Sequence, residues 1–222
     1  MALDMNLLRA DAVVEEMKAG IVRFTTPGRN FSVLTLFLLS ACQRVNSNTS
    51  AFRMMASARN YPVAGAILRM QIDTAMRVNG LLLMEEPNDG IERLLGGERY
   101  DRLVSKTGEK LRDSVLLKAL AKKHAWLPKV YERTSGMVHL SGMQIHHVLD
   151  HSNAKHGNDD SLSIDLVIGP NAPHIPEALF QELSEAFLHV TMIASMTTTS
   201  ILESSDKSIN PPLHGAETAG ER

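Results

Sequence analysis

The sequence predicts an all-α protein, a helical bundle with one minor extended segment. Most of the chain places apolar residues at helical spacing, and proline or glycine interrupts the pattern at intervals typical of helix lengths. Only residues 161–168 alternate between polar and apolar side chains as a strand does. With 222 residues, 44% of them hydrophobic, the chain can bury a sizeable core.

Four helices are predicted in the first half of the chain, at residues 3–22, 30–45, 50–58 and 62–84. The first has a leucine-rich stripe opposite charged residues and ends before Pro27-Gly28. The second is apolar on all sides, which is typical of a buried helix. Pro62 is suited to the first turn of the fourth helix, and a turn is predicted at residues 85–90.

The second half is predicted to hold short amphipathic helices within residues 90–123, then helices at 129–150 and 176–202. Gly96-Gly97 and Gly108 separate the short helices. The strand candidate at 161–168 could pair with residues near 145–150. We expect a single helical domain over residues 1–203 and a flexible tail over residues 204–222, which lack periodicity.

The formal net charge of −2 hides an uneven distribution of charge along the chain. Residues 40–135 carry a net charge of +6, and residues 136–222 carry −8. Either the basic part offers a surface to a phosphate-rich partner, or the two parts attract each other within the fold. The near-neutral total excludes a protein coated with positive charge for binding nucleic acid.

Several classes of protein and site are excluded by absent features. A single cysteine, Cys42, excludes an internal disulfide and a cysteine-based zinc site, and it lies in an apolar helix where packing is its expected role. The chain begins without a basic stretch leading into an apolar run, so we expect a cytoplasmic protein without a membrane partner. No phosphate-binding loop or dinucleotide fingerprint occurs, and no cofactor is expected.

Arg69, Asp73 and Arg77 form a ladder of charges in an apolar helical stretch. Because Asp73 is four residues after Arg69, the two share a helix face and the carboxylate can reach the guanidinium. The ladder is interpreted either as an arginine that binds a phosphate or carboxylate ligand, or as ion pairs that fix helix register.

Tyr131, Ser135 and His139 follow at intervals of four residues and would lie along one helix face, with polar atoms able to form a relay. Arg133 precedes His139 by six residues, which on a straight helix separates them by about 9 Å of rise and roughly 240° of rotation. The two side chains would then diverge unless Gly136 loosens the helix or a second subunit completes the site. An imidazole and a guanidinium together could cleave RNA without a metal, using the 2′-hydroxyl as nucleophile.

Five histidines crowd into residues 139–156. His147 and His151 have the i, i+4 spacing of a zinc-binding pair, which needs a third ligand such as Asp150 or Asp165. A metal hydrolase is therefore a third hypothesis, and a loop that is merely rich in histidine is the alternative.

Two segments together resemble a group of bacterial helical proteins. They are Tyr61-Pro-Val-Ala-Gly-Ala-Ile-Leu-Arg69-Met-Gln-Ile-Asp73 and Tyr131-x-x-x-Ser135-x-x-x-His139-x-Ser141. The spacing from Arg133 to His139 is also similar to the arginine–histidine signature of the HEPN superfamily. That resemblance implies a homodimeric all-α protein, with Arg133 and His139 as the catalytic pair of a metal-independent ribonuclease. It also implies a toxin–antitoxin or phage-defence setting, with RNA as substrate and an antitoxin or other regulatory protein as partner.

Two hypotheses from different classes follow. In the first, Arg133 and His139 cleave RNA and are supported by Tyr131 and Ser135. In the second, the chain is a non-catalytic helical module that binds a ligand or a protein, and its charged and polar ladders are buried networks.

Overall fold

The computed structural model describes residues 2–139, 142, 145, 153–156, 162–165 and 175–209. In these residues the chain forms seven α-helices: α1 Ala2–Val22, α2 Val33–Ser57, α3 Tyr61–Gly80, α4 Pro87–Leu95, α5 Asp113–Ala121, α6 Leu127–Val138 and α7 Glu177–Ile209. Two short strands, β1 Asn153–His156 and β2 Leu162–Asp165, pair antiparallel. The predicted all-α class with a minor extended segment is confirmed.

Helices α3 and α7 lie at the centre of the bundle. Helix α7 packs against α1, α2 and α3, while α3 also contacts α5 and α6. The aromatic rings of Phe52 in α2 and Phe187 in α7 stack with their centroids 3.9 Å apart. Because α1 and α7 pack together, the first and last helices contribute to one hydrophobic core. Among the described helices, none is both long and apolar enough to cross a bilayer.

Helix α2 is one continuous helix where two were predicted. The polar stretch around Asn48 contains no proline or glycine. The side chains of Asn48 and Thr49 are buried and form hydrogen bonds. The Asn48 amide donates to Gln71 Oε1 at 2.9 Å, and Thr49 Oγ1 donates to the Val45 carbonyl at 2.8 Å. Tertiary and local hydrogen bonds therefore keep the helix intact through a polar stretch that would favour a turn in isolation.

Helix boundaries differ from the prediction at three other places. Helix α4 starts at Pro87, inside the predicted turn, because proline fits the first turn of a helix. The negative charge of Asp89 in that turn also interacts favourably with the positive end of the helix dipole. Helix α6 ends at Val138, well before residue 150. Helix α7 continues to Ile209, so residues 204–209 of the predicted tail are helical.

The strand prediction locates the hairpin but not its partner strand. Residues 162–165 pair with residues 153–156, in the register Asn153 to Asp165, and of the predicted partner segment 145–150 only residue 145 is among the described residues. The pairing partner is thus separated from β2 by a short connection, as is usual for a hairpin.

Ion pairs within the fold connect the acidic C-terminal third to basic residues earlier in the chain. Four carboxylates of α7 each meet an arginine from another segment, in the pairs Arg23–Glu203, Arg29–Asp206, Arg59–Glu177 and Arg133–Glu182. The guanidinium of Arg59 also lies 3.9 Å from the ring centroid of Phe180. Two of these arginines, Arg59 and Arg133, belong to the basic part at residues 40–135, so some of the charge asymmetry along the sequence is used for attraction within the fold.

Candidate functional site

Arg69 is the centre of a polar cluster between α3 and α6. Its Nη2 donates to the Tyr131 hydroxyl at 2.6 Å and its Nε donates to Ser135 Oγ at 3.3 Å. The guanidinium carbon also lies 3.9 Å from the centroid of the Tyr131 ring. Only 15% of the Arg69 side chain is exposed. The structure therefore brings together three of the residues that the sequence singled out, Arg69, Tyr131 and Ser135.

Asp113, the first residue of α5, connects this cluster to a second set of charges. Its carboxylate lies 3.6 Å from Arg69 Nη2, accepts a hydrogen bond from Arg77 Nη2 at 2.9 Å, and accepts one from the Tyr131 hydroxyl at 3.2 Å. Asp73 lies 3.3 Å from Arg77 and 3.7 Å from Arg44. The predicted Arg69–Asp73 contact is thus replaced, because Arg69 is turned toward α6 and Arg77 takes the i, i+4 contact.

The groups around Arg69 satisfy one another, whereas Arg77 Nη1 is buried without a hydrogen-bond partner among the described residues. Burial raises the pKa of the Tyr131 phenol above its ordinary value, so the phenol stays protonated at neutral pH and cannot act as a general base. Ser135 Oγ donates to the Tyr131 carbonyl at 2.7 Å and accepts from Arg69, which leaves it without a base to activate it. A ligand for Arg69 would have to displace contacts that the protein already makes.

The predicted catalytic pair, Arg133 and His139, lies away from this cluster. Arg133 faces α7, where its Nη1 lies 3.5 Å from Glu182, and nearly half of its side chain is exposed. His139 directly follows the last residue of α6 with an extended backbone, φ −107° and ψ 145°, and it is exposed. Tyr131 and Ser135, predicted to support this pair, instead contact Arg69, because residues two apart on a helix point in different directions.

The remaining predicted sites are only partly covered by the structure. His147 and His151, the predicted metal ligands, lie outside the described residues. Within the described residues, no three His, Cys, Asp or Glu side chains are grouped to hold a metal ion. Cys42 is buried, and burial raises the pKa of its thiol to about 12, which keeps it protonated.

A cavity of about 520 Å³ lies between the C-terminal part of α3, the α5–α6 connection and the second half of α7. Its lining is mostly apolar, with Leu120 and Ile201 buried and Leu82 and Met196 exposed. A volume of roughly 300–1,000 Å³ and a mostly apolar lining with a few polar groups are typical of small-molecule sites. The cavities beside Arg133 and Arg77 are smaller, at about 190 and 170 Å³.

Polar and aromatic side chains are gathered along the exposed part of this cavity. The Trp126 ring lies between two imidazoles, with its centroid 6.4 Å from that of His124 and 6.0 Å from that of His189. Lys123 joins them in the lining. The pKa of His124 is lowered, first by burial and then by the positive charge of Lys123 and by His189. At neutral pH His124 is therefore an uncharged imidazole with one N–H to donate and one nitrogen to accept.

The sequence did not point to this cavity, although part of its lining follows a helical pattern. His189, Ile193, Met196 and Ser200 recur at intervals of three or four residues on α7. That spacing identifies one face of the helix, but it is the same spacing that a core face shows. The other side of the cavity comes from residues 79–126, and only the packing of the helices brings them to α7.

The geometry thus offers two features, a polar cluster in which Arg69 is paired with side chains of α5 and α6, and an open apolar cavity with basic groups at its edge. Comparison with models of protein families, with curated proteins and with solved structures gave no match for this chain.

Proposed function

We propose that the protein is a non-catalytic helical binding module, and that it binds a small molecule in the cavity between α3, α5 and α7. The observation that carries the proposal is the cavity itself: about 520 Å³, apolar inside, with Trp126 and two imidazoles at its edge. This combination of an apolar body and a few polar groups suits a ligand that must be held and oriented.

The polar cluster around Arg69 has a structural role in this proposal. It joins α3 to α5 through Asp113 and to α6 through Tyr131 and Ser135. One wall of the cavity comes from α5 and from the segment between α5 and α6, since Leu120 lies in α5 and Trp126 directly precedes α6. The cluster therefore holds that wall against α3.

Trp126 makes the proposal testable, because it is the chain's only tryptophan and it lines the cavity. The purified protein is titrated with two naphthylamine probes, neutral N-phenyl-1-naphthylamine and anionic 8-anilinonaphthalene-1-sulfonate, while Trp126 emission is followed. We expect saturable quenching of Trp126 with energy transfer to the bound probe. The variant Thr197→Phe, which fills part of the cavity, should abolish the effect while its melting temperature and circular dichroism stay close to those of the wild type. If neither probe quenches Trp126, or if a folded Thr197→Phe protein responds as the wild type does, the binding function is refuted.

A ribonuclease resembling the HEPN superfamily is the second candidate function. It is favoured by the exposure of both Arg133 and His139 near the C-terminal end of α6, where a second subunit or an RNA chain could reach them. This function requires RNA cleavage that survives EDTA and that both Arg133→Ala and His139→Ala abolish without unfolding the protein. The binding module predicts no cleavage by any of the three proteins.

A further inference from the structure

The ionisable side chains among the described residues of the cavity lining are all bases. Three basic side chains line the cavity, Lys123, His124 and His189, and no carboxylate is among the described residues of the lining. The amide of Asn79 and the hydroxyls of Thr197 and Ser200 complete its polar groups. An ammonium ion and imidazole N–H groups prefer an anionic oxygen acceptor, and nothing in the lining supplies one.

The same cavity has little to offer a fully polar anion such as inorganic phosphate. Leu82, Leu120, Met192 and Ile193 make up much of its surface, together with the Trp126 ring. Methionine side chains adapt to varied apolar shapes, and aromatic rings present flat apolar faces. The ligand must therefore bury an apolar part beside a single charged end.

From this arrangement we infer that the cavity binds an amphipathic organic anion, whose apolar body lies between Trp126 and α7 and whose acidic group faces Lys123 and the two histidines. The inference rests on the proposed binding function and adds the chemical class of the ligand. Exposed Leu82 and Met196 at the edge leave the cavity open to a ligand from solvent.

The two naphthylamine probes separate the inference from the function on which it rests. Both carry the same anilinonaphthalene rings, and only 8-anilinonaphthalene-1-sulfonate carries an acidic group. We expect the sulfonate probe to bind about tenfold more tightly than the neutral probe, because an ammonium ion and imidazole donors face its charge. Equal affinity of the two probes, each quenching Trp126, would overturn the anion preference and leave the binding function standing. Failure of both probes would overturn both.

Lys123 and its neighbour Lys122 form a matched pair for this experiment. Both are exposed, but only Lys123 is part of the cavity lining. Lys123→Met should weaken binding of the sulfonate probe about fivefold and leave the neutral probe unchanged, whereas Lys122→Met should change neither. Equal losses in the two variants would show a general effect of surface charge and would overturn the assignment of Lys123.

A second copy of the chain is the competing occupant of this apolar edge. If a second copy occupies the cavity, the protein should form a concentration-dependent dimer that Met196→Glu dissociates. The probes should then bind only to the dissociated protein. The inference predicts instead that Met196→Glu leaves the oligomeric state unchanged and weakens the sulfonate probe, because a carboxylate is placed beside its charge. Dissociation of a dimer together with a gain of probe binding would overturn the inference.

Discussion

Arg69 is a mostly buried charge whose polar contacts are made with other side chains of the protein. Its guanidinium lies over the Tyr131 ring and reaches Tyr131, Ser135 and Asp113 with polar contacts. Arg133, only two residues from Tyr131, lies on another side of α6 and makes one exposed ion pair with Glu182. The two arginines therefore differ in what their removal leaves behind.

Arg69→Ala should lower the free energy of unfolding by about 2 kcal/mol, because it removes charge-assisted hydrogen bonds and leaves Tyr131 and Asp113 without that partner. Arg133→Ala is the control and should cost less than about 1 kcal/mol, since exposed ion pairs contribute little. Chemical denaturation of the two variants measures both values. Equal losses would contradict the structural role of the Arg69 cluster.

The pKa of His124 predicts a dependence of stability on pH. Because its pKa is lowered in the folded protein, the unfolded chain takes up a proton more readily than the folded one at mildly acidic pH. Its contribution to stability is therefore fully present above the ordinary histidine pKa, near 6.5, and is lost as pH falls through the lowered value. Lys123 and His189 are the charged or titratable neighbours that contribute to the shift.

The difference between the wild type and His124→Gln isolates this contribution. Unfolding free energies measured across mildly acidic pH should fall more steeply in the wild type than in the variant below pH 6.5. Parallel profiles for the two proteins would rule out the assigned shift.

At the residue scale, sequence reasoning found most of the polar cluster. Arg69, Tyr131 and Ser135 stood out because a charge in an apolar stretch needs a partner and because four-residue spacing aligns side chains. Asp113 did not stand out, since an acidic residue at the start of a helix is explained by local electrostatics alone. Its contact with Arg69, 44 positions earlier, arises only when α5 packs on α3.

At the scale of elements, Gly80 is one of the glycines that allow helices to approach closely. A Cβ on Gly80, the last residue of α3, would collide with the Tyr100 hydroxyl and lie 2.8 Å from Leu116 Cδ2. The Tyr100 hydroxyl is held there because it donates to the Arg77 carbonyl at 2.7 Å. Gly80 thus allows α5 and the short 3-10 turn at Tyr100–Arg102 to pack on the end of α3.

Gly80→Ala should lower the free energy of unfolding by roughly 1–3 kcal/mol, because overpacking outweighs the gain in helix propensity. Gly20→Ala is the matched control, since a Cβ there meets only Thr199 Cγ2 at 4.0 Å. That variant should gain roughly 0.5–1 kcal/mol, as alanine replaces glycine within a helix. A stabilised Gly80→Ala protein would contradict the packing described for Tyr100.

The helices were predicted correctly where hydrophobic periodicity agreed with the positions of proline and glycine. The prediction failed where tertiary contacts determine whether a helix continues. Helices α1, α3 and α7 begin within a residue or two of their predicted positions, because proline or a charged face marks their starts. The polar residues near Asn48 suggested a break, but Gln71 provides a buried partner that local sequence cannot reveal. The cavity follows a local pattern only on α7, and the packing of the helices brings the rest of its lining there.

At the scale of the whole molecule, a chain of buried hydrogen bonds joins α2 to the two central helices, α3 and α7. Asn48 of α2 donates to Gln71 of α3, and the Gln71 amide donates to Thr191 Oγ1 of α7 at 3.1 Å. All three residues are at most 5% exposed. Buried polar groups are costly unless satisfied, so this chain favours the one arrangement of helices that pairs them.

Gln71→Leu should lower the free energy of unfolding by about 1–3 kcal/mol, because Asn48 and Thr191 lose their partner in the core. Gln43→Leu, an exposed position on α2, should change it by less than about 0.5 kcal/mol. Thermal and denaturant unfolding of both variants compare the two. If Gln71→Leu leaves the free energy of unfolding unchanged, this chain of hydrogen bonds does not stabilise the arrangement of the helices.

The sharpest check on the binding cavity is the NMR signal of the Trp126 indole, because a chain with one tryptophan gives one indole Nε1–H resonance. Titration with 8-anilinonaphthalene-1-sulfonate should move that resonance saturably, together with the methyl signals of Met192 and Met196, while the Nε–H of Arg69 stays in place. An indole resonance that does not move, or a response centred on Arg69 and Tyr131, would contradict a ligand site between α3, α5 and α7.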